Sequence, residues 1–201
     1  MFTRLINALV GGFKWLIFKK DDKTKPYRTD GNAAFLEAIK KPGTVCCIGG
    51  EGFLQNGIKD ATDSFWCHVF GITEPGWCVE AEGGGIEHNE IGKYLGDKNQ
   101  VVAFQFDLTD DQLNKLLTWI NAQIGKPYGF LEFVEELTPN PSEQGLPRDW
   151  GYICSALWAC AFQQIGISIV PAGVDPRMAT PGDVFNGLEP NLSAKMFRYN
   201  W

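Results

Sequence analysis

The chain has 201 residues, of which 44% are hydrophobic and 21% charged, and these values fit one globular domain with a short appendage. The net charge of −6 is unevenly distributed, because residues 1–28 carry seven Lys and Arg against two acidic residues and the remainder is strongly acidic. Nucleic acid binding needs Lys and Arg to meet the phosphates. The acidic remainder therefore argues against nucleic acid as the main partner.

The six cysteines indicate free thiols rather than a disulfide framework. No two of them are spaced as Cys-x-x-Cys, and most stand among apolar residues, which is typical of buried thiols in a reducing compartment. The chain has only two histidines, His68 and His88, so a structural zinc site is not expected.

The N-terminal segment is basic and amphipathic. Residues 1–18 place apolar side chains at helical spacing, but Arg4 and Lys14 interrupt them, so a membrane-spanning helix is not expected. No small-residue cleavage site follows, which argues against a secretory signal peptide. Two interpretations remain open: residues 1–20 lie on a membrane surface with their basic side chains near anionic lipids, or they dock on the domain or on another chain.

These features divide the chain into two parts. Residues 1–30 form the basic amphipathic segment and its linker, and residues 31–201 form the main domain. The expected location is the cytoplasm or, through the N-terminal segment, the periphery of a membrane.

The first part of the main domain is predicted to be rich in strands. A short helix at residues 32–40 ends near Pro42-Gly43. Residues 49–64 read as a loop with a helical turn around 53–58, and residues 83–85 form a glycine break. The apolar and β-branched stretches predict four strands, at residues 44–48, 65–72, 77–81 and 101–108.

The second part is predicted to be mainly helical. Thr109 and Gln112 have the spacing of a capping box, and Gly125 ends the helix that follows. That helix has a predicted buried stripe of Leu113, Leu116, Leu117, Ile120 and Ile124. A proline-containing loop at 138–149 precedes a helix from Cys154 to about Gly166, a short extended stretch at 167–170, and a last helical turn at 180–183. Early strands and a late helix indicate an α+β fold.

Cys154 is the first candidate for chemistry. It stands where a polar turn meets an apolar helix, so it lies near unpaired N–H groups and the positive end of the helix dipole. This environment favours the thiolate, which is the nucleophilic form of cysteine. The more common interpretation of such a cysteine is a small buried apolar side chain.

His68 and Glu80 are the candidate partners of Cys154. Alternation along the strands puts Cys78, Glu80 and Glu82 on one face of their strand, so pairing with the preceding strand would let Glu80 orient His68. His68 would then activate Cys154, as in a hydrolytic triad, with the Cys154 amide in an oxyanion hole. His68 could also be an ordinary core or surface histidine, and Glu80 could be an ordinary charged residue of an edge strand. The other histidine, His88, is predicted to be a solvated residue of a polar loop.

Six short motifs together resemble the permuted NlpC/P60 papain-like hydrolases, the group that includes the YiiX/YebB-type enzymes. Those motifs are Lys41-Pro42-Gly43-Thr44, Trp66-Cys67-His68-Val69-Phe70-Gly71-Ile72, Val79-Glu80-Ala81, Ile124-Gly125-Lys126-Pro127-Tyr128, Tyr152-Ile153-Cys154-Ser155-Ala156-Leu157 and Thr180-Pro181-Gly182-Asp183. The resemblance covers roughly residues 41–187, and the histidine precedes the cysteine, which is the circularly permuted order. Two positions depart from the family pattern: Ala156 replaces a Glu and Cys67 replaces a Ser.

The resemblance implies a small antiparallel half-barrel sheet packed against the helix of the nucleophile. It also implies a catalytic Cys154–His68–Glu80 triad that works through an acyl-enzyme and needs no metal or organic cofactor. The sequence leaves Glu82 open as the alternative third residue. The expected activity is that of a cysteine amidase or peptidase acting on a peptidoglycan-type or other peptide amide bond.

Two other functions stay open. The basic N-terminal segment and the aromatic content favour a membrane-associated acyl hydrolase or acyltransferase, which would take an acylated rather than a peptide substrate. A non-catalytic structural or binding module that retains the fold is the third.

Overall fold

The computed structural model describes residues 33–50, 62–96, 99–129, 151–190 and 193–200. Within these ranges the chain forms a mixed α and β fold with one open antiparallel sheet. The strands are β1 (Val45–Gly50), β2 (His68–Glu74), β3 (Trp77–Glu82), β4 (Gly85–Glu90), β5 (Asn99–Phe106) and β6 (Ala194–Tyr199). The helices are α1 (Ala33–Ala38), α2 (Asp110–Asn121), α3 (Cys154–Gln163) and α4 (Pro181–Leu188), with 3₁₀ turns at Ile91–Tyr94 and Pro176–Met178.

The strand order is β4-β3-β2-β1-β5-β6, and every neighbouring pair is antiparallel. The sheet is covered on both faces. Side chains of α2, α3 and α4 pack on one face, and those of α1 and the first 3₁₀ turn pack on the other. This double covering explains why every residue of the central strand β1 is buried.

Helix α3 is fixed to the sheet by Trp158. Its indole Nε1 donates a hydrogen bond of 2.9 Å to the backbone carbonyl of Val79 in β3. The ring fills the space above Gly71 of β2, where an added Cβ would come within 2.3 Å of it. A side chain at residue 71 would therefore displace α3 from β2.

Local sequence signals set the starts of α2 and α4. Thr109 and Gln112 form the predicted capping box, and Thr180 and Asp183 form a second one with Pro181 at the first helical position. The predicted last turn is thus a helix of 8 residues. Ile124 lies beyond the end of α2 and is 43% exposed, so it does not belong to the predicted buried stripe.

Several element predictions were wrong. Residues 85–90 and 194–199 form the edge strands β4 and β6, which the sequence did not predict because edge strands carry many exposed polar residues. His68 begins β2 instead of lying in its middle.

Three predictions fall outside the described residues. They are the membrane or docking role of residues 1–20, the helical turn at 53–58 and the loop at 138–149. None of the helices within the described ranges has both the length and the hydrophobicity that crossing a bilayer requires.

Candidate active site

The candidate site forms where β2 and β3 part. Their ladder ends at the Gly71–Val79 pair and is not continued at His68, although the residues on both strands are described. The amide of Ile72 donates toward β1, and amides alternate in direction along a strand, so the amide of Val69 points toward β3. Because the ladder has ended, the amide of Val69 can donate a hydrogen bond to a side chain instead.

Cys154 is the first residue of α3 and supplies that side chain. The first hydrogen bond of the helix runs from the amide of Leu157 to the carbonyl of Ile153 at 3.0 Å, so the amides before Leu157 have no acceptor within the helix. The Cys154 sulfur accepts hydrogen bonds from the amides of Val69 and Ser155. Two backbone N–H groups and the positive end of a helix therefore meet at one thiol.

His68 joins this thiol to a carboxylate. Its Nε2 lies 2.7 Å from Oε2 of Glu80, and its ring also makes a side-chain hydrogen bond with Cys154. Since Nε2 faces Glu80, we assign the contact with Cys154 to Nδ1, the other ring nitrogen. β2 pairs with β3, which is the condition for the predicted contact between Glu80 and His68, and the structure brings the three predicted site residues into one cluster.

The cluster favours a thiolate beside an imidazolium. Burial opposes ionisation of Cys154, but the charge and hydrogen bond of His68 and the two backbone amides outweigh it, so the pKa of Cys154 is lowered. Burial also lowers the pKa of His68, but the Cys154 thiolate and then Glu80 outweigh that effect and raise it well above its ordinary value. Each partner thus stabilises the charged form of the other.

Four of the other cysteines have the opposite electrostatics. Burial raises the pKa of Cys46, Cys47 and Cys78, and it raises the pKa of Cys160 to about 11. Among these five thiols, Cys154 is the one whose pKa is shifted in the direction that favours reaction.

Glu80 is fully buried and hydrogen-bonded on both oxygens. Oε1 lies 2.6 Å from Nζ of Lys93 and 3.0 Å from Nδ2 of Asn89, while Oε2 faces His68 and accepts a hydrogen bond from the Tyr94 hydroxyl. Burial alone would raise the pKa of Glu80, but the hydrogen bond and charge of His68, followed by Lys93, lower it to about 2. Glu80 is therefore a carboxylate at neutral pH.

Glu82 occupies a different position from Glu80. Its Oε1 accepts a hydrogen bond of 3.0 Å from the Tyr94 hydroxyl, and that hydroxyl in turn lies 3.0 Å from Nε2 of His68. Glu82 therefore reaches the imidazole only through Tyr94, whereas Glu80 contacts it directly. Between the two residues that the sequence left open, the geometry favours Glu80 as the group that orients His68.

Tyr128 is a further neighbour of the thiol. Its hydroxyl and the Cys154 side chain are hydrogen-bond partners, and burial, followed by the charge of Cys154, raises its pKa well above the ordinary value. Tyr128 pairs with Tyr152, two residues before Cys154, in a short parallel bridge. This bridge places a protonated phenol beside the nucleophile.

His88 is exposed to solvent, as predicted, but the prediction that it lies in a loop was wrong. It lies in strand β4 opposite Val79, and its Nε2 lies 3.2 Å from the Thr73 hydroxyl and 3.3 Å from a carboxylate oxygen of Glu74. Its ring stacks on Trp77 at a centroid distance of 5.0 Å. These contacts tie His88 to the edge of the sheet, away from the His68 cluster.

One group of side chains has the composition of a metal site. The ligand atoms of His68, Glu80 and Glu82 lie within 4.8 Å of one another. However, the ammonium of Lys93 contacts both carboxylates, at 2.6 Å and 2.9 Å, and Tyr94 bonds to both as well. A metal ion would have to displace Lys93, so these residues do not fit a resident metal.

The sequence predictions missed Asn89, Lys93 and Tyr94, which surround Glu80. They follow β3 on β4, where the stretch around His88 was interpreted as a loop, and on the 3₁₀ turn after it, where no element was predicted. One signal was available: Lys93 is the only basic residue between residues 80 and 97, a stretch with four glutamates. A lysine that stands alone among four glutamates is a candidate ion-pair partner for any glutamate that is buried.

Comparison with known proteins supports the fold. The chain matches no family model. No curated protein matches it either. It is similar in structure to the metalloprotein YiiX from Escherichia coli O157:H7, with a TM-score of 0.57 and 16% sequence identity over 80% of this chain and 98% of that chain. The similarity agrees, at the level of the fold, with the resemblance seen in the sequence.

Proposed function

We propose that the chain is a cysteine hydrolase of the permuted papain-like type, in which Cys154, His68 and Glu80 form a catalytic triad. The observation that supports this most directly is the Cys154 thiol itself. It is buried at the start of a helix and bonded to His68, and its pKa is lowered, whereas burial raises the pKa of Cys46, Cys47, Cys78 and Cys160.

The geometry supports a two-step acyl transfer. The Cys154 thiolate attacks the acyl carbon, and His68 gives its proton to the leaving amine or alkoxide as the carbon–heteroatom bond breaks. The thioester that remains is then attacked by a water molecule, whose proton passes to His68. Collapse of this second adduct releases the acid and restores the thiolate. Glu80 keeps its carboxylate on His68 through both steps, which holds the ring in place and stabilises its charged form.

In this proposal three donors stabilise the oxyanion that forms during each attack. They are the Cys154 amide at the start of the helix, the amide of Val69 or Ser155 once it is released from the sulfur, and the Tyr128 hydroxyl. Because the attacked carbon of the substrate bonds to the Cys154 sulfur, the carbonyl oxygen on that carbon comes close to the three donors. Ala156 replaces a Glu of the family pattern and is buried, so it offers no polar contact to a substrate.

The proposed substrate is a peptide amide of the kind found in peptidoglycan stem peptides. An acylated lipid or thioester is the second candidate, because the basic residues of segment 1–28 suit a membrane surface. The two are separated by incubating the protein with stem peptides and with a short-chain acyl thioester, and by mass spectrometry of the products. Release of acid from the thioester alone would favour the lipid-directed alternative.

The experiment that tests the triad is alkylation of Cys154 by iodoacetamide at pH values from about 5 to about 9, around the ordinary thiol pKa of about 8.5. Intact-mass spectrometry counts the labels and peptide mapping locates them. We expect Cys154 to react fastest, to react well below about pH 7, and to slow at least about tenfold in His68→Ala. His88→Ala is the matched control and should leave the rate unchanged.

One alkylation result would contradict the proposal. If Cys154 reacts no faster than the other cysteines and His68→Ala changes nothing, the proposed hydrolase is wrong. The fold would then be that of a binding or structural module.

A further inference from the structure

The carboxylates of Glu80 and Glu82 are bridged by one cation and one hydroxyl. Nζ of Lys93 lies 2.6 Å from Oε1 of Glu80 and 2.9 Å from Oε2 of Glu82. The Tyr94 hydroxyl lies between the other oxygens of the two carboxylates, and its single proton is shared between them. Tyr94 is itself held by Phe70, on which its ring stacks at a centroid distance of 4.7 Å. The four polar groups form a closed ring behind His68.

This ring is not an ordinary surface salt bridge. The Glu80 side chain is fully buried and that of Lys93 is 20% exposed, while Glu82 at 40% is the group in contact with solvent. Burial lowers the pKa of Lys93, but the charges of Glu80 and then Glu82 raise it well above the ordinary value. Lys93 is thus a fixed cation in a site where two carboxylates meet.

Two carboxylates that share a hydroxyl would not both stay ionised without such a cation. Like charges at this distance disfavour each other, so one of the pair takes up a proton at a pH well above the usual range. A proton shared by Glu80 and Glu82 would remove negative charge from the group that faces His68. The imidazolium, and with it the Cys154 thiolate, would then lose its support.

We propose that Lys93 is a positioning residue for the His68–Cys154 pair: its ammonium holds Glu80 and Glu82 side by side as carboxylates, so that one oxygen of Glu80 stays on His68. Lys93 contacts neither Cys154 nor a substrate and acts only through Glu80. This inference rests on the proposed function and assigns to that site a residue that the sequence resemblance does not include.

The test is the pH profile of Cys154 alkylation in Lys93→Met, which removes the charge and keeps an unbranched side chain. The acid limb of the profile is the low-pH range over which the alkylation rate falls. We expect this limb to shift by about one pH unit toward neutral pH, because the Glu80–Glu82 pair takes up a proton at a higher pH.

Several titratable groups surround the thiol and the imidazole. They are Glu80 and Glu82 of β3, Lys93 and Tyr94 of the 3₁₀ turn, Tyr128, Cys47 of β1 and Cys78 of β3.

A double variant separates this role from a merely structural one. In Lys93→Met/Glu82→Gln a single carboxylate remains, so no repulsion forces a proton onto Glu80. The acid limb should then return to its wild-type position. Glu82→Gln alone should leave the acid limb in place, because Lys93 still pairs with Glu80. Lys93→Arg keeps the charge and should therefore shift the acid limb less than Lys93→Met does.

The outcomes distinguish the two proposals. If wild-type Cys154 shows no His68-dependent reactivity, the hydrolase itself is wrong. If the wild type behaves as proposed but Lys93→Met leaves the acid limb unchanged or moves it to lower pH, Lys93 does not have this role. A Lys93→Met defect that Glu82→Gln does not reverse would also overturn it, provided that circular dichroism shows both variants folded.

Discussion

Nε2 of His68 lies 2.7 Å from Oε2 of Glu80, although the ladder between their strands ends before it reaches His68. The two residues are therefore joined by their side chains and not by the sheet. By strand alternation both belong to the α1 side of the sheet, whereas Cys154 starts a helix on the opposite side. The parting of β2 and β3 lets groups from the two sides meet. The position of the imidazole consequently depends on the hydrogen bonds of Glu80.

The first prediction concerns the charge of that carboxylate. Glu80→Gln keeps the shape of the side chain but removes the charge that stabilises the His68 imidazolium, so the pKa of Cys154 should rise. We expect its alkylation rate near pH 6 to fall about tenfold or more, since one pKa unit is a factor of ten in thiolate at low pH. Glu82→Gln is the matched control. An equal loss in both variants would contradict the assignment of Glu80 as the orienting residue.

The second prediction concerns acid stability. Glu80 has a pKa lowered from 4.5 to about 2 in the folded chain, so the folded state holds fewer protons than the unfolded state between these values. Its contribution to stability is therefore complete above about pH 4.5 and is lost as the pH falls toward about 2. Denaturant unfolding at several pH values would measure this loss.

The control for acid stability is the charge-balanced variant Glu80→Gln/Lys93→Met, which leaves no buried cation unpaired. Its free energy of unfolding should depend less steeply on pH below about 4.5, by close to one proton per molecule. Slopes that match the wild type would show that other carboxylates account for the acid sensitivity.

The residues that could be predicted share one property: their position follows from a local pattern. Strand alternation placed His68 and Glu80 on compatible faces, and the change from polar turn to apolar helix located Cys154 at the start of α3. The capping box fixed the start of α2 at Asp110. Each inference needed only a few neighbouring residues.

What could not be predicted depends on contacts between distant segments. Strand β4 is a polar edge strand, so its alternation was not recognised, and the turn that carries Lys93 and Tyr94 could not be placed. The hydroxyl of Tyr128 comes within reach of Cys154 through a bridge to Tyr152, which no local pattern indicates. The parting of β2 and β3 also depends on how α3 packs on the sheet.

The third prediction concerns the fit of α3 on the sheet. Gly71→Ala would put a methyl group 2.3 Å from the Trp158 ring, so α3 and β2 must separate. We expect a loss of about 1–3 kcal/mol in the free energy of unfolding, the usual cost of overpacking a core. Gly96→Ala is the control, since nothing lies within 4 Å of its added Cβ, and it should change stability by less than about 0.5 kcal/mol.

Gly71 also bears on the site, because it is two residues from Val69, whose amide bonds to the Cys154 sulfur. The alkylation rate of Cys154 in Gly71→Ala should therefore fall together with stability. A variant that is destabilised but fully reactive would show that α3 can shift without disturbing the thiol.

The fourth prediction separates a structural hydroxyl from the neighbouring nucleophile. Ser155 is fully buried, and its Oγ donates a hydrogen bond of 2.5 Å to the carbonyl of Ala179, just before α4. Ser155→Ala leaves that carbonyl without this donor and should cost about 1–3 kcal/mol of stability. The backbone amide of residue 155 remains, so the pH profile of Cys154 alkylation should not change. A shifted profile would show that the hydroxyl contributes to the site.

The fifth prediction concerns metal ions. The ammonium of Lys93 already contacts both carboxylates of the His68–Glu80–Glu82 group, so no metal is needed to balance their charge or to align Glu80. Treatment with a chelator should therefore leave the alkylation profile of wild-type Cys154 unchanged, and elemental analysis of the dialysed protein should find no stoichiometric metal. If chelation slowed the reaction and zinc restored it, the carboxylates would hold a metal in place of Lys93. In that case Lys93→Met should bind zinc more tightly than the wild type, which isothermal titration calorimetry would measure.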